Sequence, residues 1–146
     1  MLTGQFGILV DEKGRILIPS KLRQEIPDNM LIITAGVDTC LWIYLPEQWR
    51  KISQQLMGKS SFSYKTRLIQ RRIVAPAQEV ELDRTGRVLI PQHLQHIAKL
   101  KKECILHGLQ FYMELWDAQQ YQTYLSQHEE DFLEAAEELG GSIFLE

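Results

Sequence analysis

The sequence predicts an α+β fold in which one β-rich module with flanking helices is used twice. Three observations carry this reading. A long segment repeats at a fixed spacing, each copy sets short β-prone runs around an Asp-x-x-Gly turn, and a proline ends the second run where a short helical pattern begins. The repeat is direct: Asp11-Glu-Lys-Gly14-Arg15-Ile-Leu-Ile-Pro19 recurs 72 residues later as Asp83-Arg-Thr-Gly86-Arg87-Val-Leu-Ile-Pro91. At the same spacing Leu22 meets Leu94, Ile33 meets Ile105, Gly36 meets Gly108, Ile43 meets Leu115, Tyr44 meets Trp116 and Trp49 meets Tyr121, with no gap from Ile8 to Trp49. One register holding glycine on glycine and aromatic on aromatic marks a duplication.

Each copy reads the same way in order. Residues 6–10 and 78–82 are β-prone, and the following Asp-x-x-Gly offers turn chemistry with a glycine free to take positive φ. A hairpin is the simplest outcome, its second strand at 15–18 or 87–90. Pro19 and Pro91 cannot donate to a ladder but suit a first helical turn, so short helices are expected at 20–26 and 92–98. Strand composition returns at 31–34 and 103–106, then at 41–44 and 112–116. Pro46 opens a helix to about Leu56, and Asp117 reads as the N-cap of a longer one to about Leu139. Gly58 to Phe62 is a loop by composition, and 63–74 reads as a connecting helix with Arg67, Arg71 and Arg72 on a solvated face and Leu68, Ile69 and Ile73 on a packed one, a reading slightly favoured over direct nucleic-acid contact by the arginines. The expected organisation is a first repeat at 1–57, a linker and connecting helix at 58–74, a second repeat at 75–128, and an acidic helix and tail at 129–146. Each repeat alone has too little core to stand by itself, so the two are expected to pair about a pseudo-twofold axis as one composite unit.

Composition bounds the function. At 146 residues with 45% hydrophobic and 24% charged residues, the chain has the balance of a globular protein. No run approaches the roughly 20 apolar residues of a membrane helix, and the N-terminus lacks a basic region followed by an apolar one, so a cytoplasmic protein with no membrane partner is expected. Cys40 and Cys104 each sit alone in an apolar run, as buried thiols rather than a disulfide or metal framework. The net charge of −3 hides a gradient: residues 1–72 hold eleven Lys/Arg against six Asp/Glu, whereas residues 73–146 hold five against thirteen. Seven of those carboxylates, Glu129, Glu130, Asp131, Glu134, Glu137, Glu138 and Glu146, lie in the terminal segment, which contains no Lys or Arg. A catalytic reading finds little support, since the chain has no Gly-rich phosphate loop, no His-Glu-x-x-His and no Gly-x-Ser-x-Gly. His93 and His96 stand three apart without a third ligand, and no cofactor is expected.

Three stretches carry a family likeness: Leu9-x-Asp11-x-Lys13-Gly14-Arg15-x-x-Ile18-Pro19-x-Lys21-Leu22-Arg23, Leu41-Trp42-x-Tyr44-x-x-x-x-Trp49, and Leu82-Asp83-x-x-Gly86-Arg87-Val88-Leu89-Ile90-Pro91. On these the chain resembles the MraZ family over nearly its whole length. The resemblance implies an AbrB/SpoVT-like swapped-hairpin β-barrel module in duplicate and assembly into closed rings. It also implies a nucleoid-associated transcriptional regulator that binds short G-rich direct repeats in the promoter of the division and cell-wall gene cluster. The family's DNA-binding signature, a paired Asp-x-x-x-Arg, falls here on Asp11 with Arg15 and on Asp83 with Arg87. The chain departs from the usual pattern at Phe6-Gly7-Ile8, at Gln95 where an Arg is usual, and at Tyr121 in place of a Trp.

The chemistry suits such a role. Guanidinium pairs bidentately with guanine O6 and N7 in the major groove of double-stranded DNA, which makes Arg15 and Arg87 the candidate base readers. Asp11 and Asp83, four residues earlier across the turn, could accept from those guanidiniums and limit their rotamers. Lys13, Lys21 and Arg23 beside the first motif, and Arg84 beside the second, are candidate phosphate contacts. On spacing alone, an Asp/Arg pair that merely closes the turn is an equal reading. The rival class is a protein-interaction scaffold or antitoxin-like module gripping a partner with the acidic C-terminal helix, on which Phe132, Leu133, Ala136 and Leu139 form a stripe.

Overall fold

The computed structural model describes residues 1–144, with side chains through residue 141; Glu146, the last carboxylate of the acidic tail, lies outside the described residues. The first copy comprises β1 (Leu2–Leu9), β2 (Arg15–Leu17), α1 (Ser20–Arg23), a 3-10 turn (Pro27–Asn29), β3 (Met30–Ala35), β4 (Leu41–Tyr44) and α2 (Pro46–Met57). Next comes α3 (Tyr64–Ile69), running into a π-helical turn (Gln70–Val74). The second copy follows with β5 (Gln78–Glu81), β6 (Arg87–Leu89), α4 (Gln92–Ile97), β7 (Glu103–Gln110), β8 (Tyr112–Asp117) and α5 (Ala118–Gln127), and α6 (Glu129–Phe144) ends the chain.

The simple hairpin is not what forms. The turn is closed by backbone bonds from Asp11 N–H to the Arg15 carbonyl at 2.9 Å and from Gly14 N–H to the Asp11 carbonyl at 3.0 Å, and its strands then diverge to partners in the other copy. β1 pairs antiparallel with β7, β5 with β3, and β2 with β6. The six-stranded sheet runs β1-β7-β8-β4-β3-β5, and β2-β6 forms a separate ribbon. This is a swapped-hairpin arrangement used in duplicate, an α+β fold. The reason is burial: crossing lets Ile16 and Val88 pack into the middle of a core that neither copy could close alone.

Two ladders locate the pseudo-twofold axis. Ile16 faces Val88 and Trp42 faces Glu114, each residue opposite its own counterpart 72 positions on. An antiparallel pair can do that only where a twofold passes between its strands. The equivalence of the copies nevertheless slips by one residue in β3 and β7. Ile33 pairs with Ile43, whereas it is Leu106, not Ile105, that pairs with Leu115, and Ala35 rather than Gly36 takes the place of Gly108. The ungapped match of Ile33 to Ile105 and of Gly36 to Gly108 is thereby corrected. The second copy has one extra residue between Ala98 and Lys102, and one fewer in the β7–β8 connection. Burial drives the slip, since Ile33 and Leu106 are both fully buried while Ile105 is only half-buried.

The core lies between the sheet and the ribbon. Ile16, Ile18, Val88 and Ile90, with Leu22 of α1 and Leu94 of α4, pack against Leu31, Ile33, Leu41, Ile43, Leu106, Met113 and Leu115. The opposite face of the sheet carries aromatics toward α2 and α5, with Tyr44 against Trp49 at 5.6 Å and Trp116 against Tyr121 at 5.2 Å between ring centroids. At its centre the Glu114 carboxylate accepts both indole N–H groups, from Trp42 at 3.2 Å and Trp116 at 3.0 Å. Cys40 and Cys104 are buried and unpaired, and burial pushes the Cys104 thiol up to about 12 and the Cys40 thiol higher still.

The helices depart from expectation at three places. The segment 20–26 is helical only to Arg23. Asp117 does cap a helix, accepting from Gln120 N–H at 3.1 Å, but His128 leaves helical geometry (φ −118°, ψ 21°), so α5 and α6 are two helices rather than one. In the connecting segment Ile73 is buried while Leu68 and Ile69 stay 40% exposed, so the packed face is narrower than the pattern implied. There the Thr34 hydroxyl donates to the Ile73 carbonyl and ties the π turn to β3. Among the described residues, no helix is long and apolar enough to cross a membrane.

Ile16 is fully buried on the axis, so truncating it leaves a cavity between the two copies. Ile16→Ala is expected to lower unfolding free energy by about 2–5 kcal/mol in urea denaturation followed by circular dichroism.

Candidate nucleic-acid interface

The two Asp-x-x-Gly-Arg turns stand at the ends of the β2-β6 ribbon. In each, the glycine N–H donates to the aspartate carbonyl at 3.0 Å, and Gly14 and Gly86 both take φ +83°, a conformation costly for any residue with a Cβ. Gly14 and Gly86 also bridge the copies, their carbonyls accepting from Ile90 N–H at 2.9 Å and Ile18 N–H at 3.0 Å respectively. Each turn is thus anchored to the strand of the opposite repeat.

Asp11 organises the first turn. Its Oδ1 accepts the N–H groups of Lys13 and Arg15, both at 2.9 Å, and its Oδ2 accepts Arg15 Nε at 2.9 Å. The turn-closing ion pair and the orienting role are therefore the same contact. Because only Nε is engaged among the described residues, both Nη nitrogens of Arg15 remain for an external acceptor. Asp83 does the equivalent work by a different route. Its Oδ1 accepts Thr85 N–H at 2.8 Å, the Thr85 hydroxyl at 2.7 Å and Arg87 N–H at 3.0 Å, and Arg87 Nη1 donates to Thr85 Oγ1 at 2.9 Å. The direct Asp83–Arg87 side-chain pair is replaced by a hydroxyl relay, because the second turn has Thr85 where the first has Lys13.

Lys13, Lys21 and Arg84 are exposed, as a phosphate contact requires. Arg23 is not free in the same way. Its Nη1 donates to the Thr85 carbonyl at 3.3 Å, its Nε is buried, and its guanidinium lies over Gly86, where an added Cβ would approach Nη1 to 2.3 Å. It braces the second turn from the first copy. Gln95, at the matching place in the second copy, lies over Gly14 and donates from Nε2 to the Ile90 carbonyl at 2.7 Å. Thr85 was not singled out by sequence, and Gln95 was noted only as a departure from the family pattern; the signal that could have found their contacts is their place in the repeat, opposite Lys13 and Arg23. His93 rests against the Pro76 carbonyl at 3.2 Å, and no grouping of metal-ligand side chains occurs among the described residues. Arg67 donates to the Ser61 and Phe62 carbonyls, each at 3.0 Å, so it ties down the preceding loop.

Both turn carboxylates are held below the ordinary aspartate range. For Asp11 the chief cause is the Arg15 backbone N–H, and for Asp83 it is the Thr85 hydroxyl. A carboxylate depressed in the folded state adds stability that is present above its unfolded value, near 3.9, and lost as pH falls through the folded value. Melting temperatures measured downward from pH 5 should therefore fall less steeply for Asp11→Asn and Asp83→Asn than for the parent chain.

The chain is also similar in sequence to known proteins. The family described as "MraZ protein, putative antitoxin-like" matches twice, over residues 1–72 and 73–141. The chain is 50% identical over 140 residues to the transcriptional regulator MraZ of Treponema denticola, covering 95% of this chain and 97% of that one. It is 41% identical to that of Treponema pallidum strain Nichols (94% and 93% covered) and 35% identical to that of Caldanaerobacter subterraneus subsp. tengcongensis (95% and 96% covered). With both copies matched and this much identity spread over almost all of its length, the chain belongs to the MraZ family.

Proposed function

We propose that the chain is a sequence-specific transcriptional regulator of double-stranded DNA, with Arg15 and Arg87 as the base readers and no enzymatic activity. The observation that carries this is the braced pair of turns. Each arginine is limited by a hydrogen bond to its own turn, each turn is anchored to the opposite repeat, and both keep donors for guanine O6 and N7. Pre-ordered side chains lose less entropy on docking. The relatives' printed name supports the same reading.

In this reading Asp11 and Asp83 are positioning residues, the second through Thr85. Lys13, Lys21 and Arg84 neutralise phosphates, and Arg23 acts on the second turn. The targets are G-rich direct repeats in the promoter of the division and cell-wall cluster, and the site of action is the cytoplasmic nucleoid. One protomer offers two base-reading arginines, so affinity for repeated sites would come from a closed ring presenting the same ribbon several times. The acidic α6 supports such assembly, with Phe132 64% and Leu133 58% exposed. The same exposed side chains favour the second reading, an antitoxin-like grip on a protein partner.

In fluorescence anisotropy with the duplex upstream of the chain's own gene, Arg15→Ala should cost about 1–3 kcal/mol per engaged site. Lys21→Ala should weaken all duplexes alike and flatten the salt dependence. Unchanged affinity in the Arg15 variant would remove the central assignment. Ending the chain at His128 should abolish the ring in sedimentation velocity; a ring that survives, with loss of a co-purifying protein instead, would favour the partner reading.

A further inference from the structure

The ribbon carries more than arginine. Side chains alternate along a strand, so the fully buried Ile16 and Val88 place Arg15 and Leu17 of β2, and Arg87 and Leu89 of β6, on the face turned away from the core. Across the ladder Arg15 stands opposite Leu89, and Leu17 opposite Arg87. Leu17 is 42% exposed and Leu89 54%. A single exposed leucine is ordinary and needs no explanation. Here the same residue occupies the same place in both copies, twofold-related, on a face whose other side chains are the two base-reading arginines.

A ribbon that lowers Arg15 and Arg87 into the major groove lowers these leucines with them. The groove floor is polar except for one feature, the C5-methyl group of thymine. Directly opposed residues of an antiparallel pair hold their Cβ atoms about 4.5–5.5 Å apart, comparable to the roughly 3.4 Å step between bases along a strand. An arginine on guanine therefore sets the leucine opposite it over a neighbouring base pair.

We propose that Leu17 and Leu89 are specificity-determining residues that contact the C5-methyl of a thymine adjacent to the guanine read by the arginine across the ribbon. The preferred site is then a guanine with a neighbouring thymine, and discrimination comes from apolar contact as well as from hydrogen bonds. This rests on the DNA reading above and adds to it the chemistry of a second base.

The test uses the full-length chain and a duplex recovered by selection from a random-sequence pool, with each thymine replaced in turn by uracil, which lacks only the methyl. At a thymine beside a contacted guanine, uracil should weaken binding about three- to fivefold, the expected effect of one buried methyl. The Leu17→Ala/Leu89→Ala double variant should bind the thymine and uracil duplexes equally. Should no uracil position weaken the parent chain, or should uracil weaken parent and variant to the same degree, the leucine assignment is overturned while the arginine reading stands. A pool that yields no enriched duplex would overturn the DNA reading and this inference together. If the double variant fails to melt cooperatively, the uracil series on the parent chain still decides.

Discussion

Strand exchange between the two copies is the constraint on which everything else depends. A β-strand must satisfy a row of backbone donors and acceptors, and its apolar side must be covered. Neither copy can do this alone: β1 finds its ladder on β7, β5 on β3, and β2 on β6. The axis passes where Ile16 meets Val88 and where Trp42 meets Glu114, so the centres of both sheets are contacts between copies. A duplicated chain folded this way shares one core, and its two turns are placed relative to each other by the ladders between the copies.

That exchange also explains how two loops of five residues hold still. Gly14 and Gly86 each give a carbonyl to the opposite copy's strand, and each lies beneath a side chain from the opposite copy's helix, Gln95 over the first and Arg23 over the second. An Arg-to-Gln difference that looks in sequence like the loss of a cation proves to be a choice between two braces. The turns differ in another respect. Asp11 holds Arg15 directly through Nε, while Asp83 holds Arg87 through the Thr85 hydroxyl by way of Nη1, so the two guanidiniums leave different edges for a ligand. Two related but unequal turns follow from one difference in sequence, Lys13 against Thr85.

The distribution of charge and exposed apolar surface has its own logic. Exposed cations are spread over the body, from Lys13 and Lys21 through Lys51, Lys59, Arg71 and Arg72 to Arg84 and Lys101, whereas α6 concentrates carboxylates together with Phe132 and Leu133. Net charge therefore hides the arrangement, because opposite charges held in different segments cancel in the sum. On the far face of the sheet, Glu114 links Trp42 of one copy to Trp116 of the other, a polar group at the centre of an aromatic layer with both oxygens satisfied.

Sequence by itself determined the duplication, the β-turn-β units, the turn-forming Asp and Gly positions, and most strand positions, because these rest on local chemistry. Positive φ demands glycine, a proline ends a ladder, and an aspartate can cap the turn that follows it. The exchange of partners was beyond local reasoning, since Asp-x-x-Gly makes a tight turn whether its strands pair with each other or part. The one-residue slip that puts Leu106 rather than Ile105 in the place of Ile33 was hidden for a related reason. Adjacent aliphatic residues read alike in a pattern, and only packing against a specific neighbour chooses which one faces inward. Arg23 makes the same point for charge: nothing in its flanking residues announces a contact with the second turn, and only the tertiary structure brings Gly86, a residue with no side chain of its own, under the guanidinium.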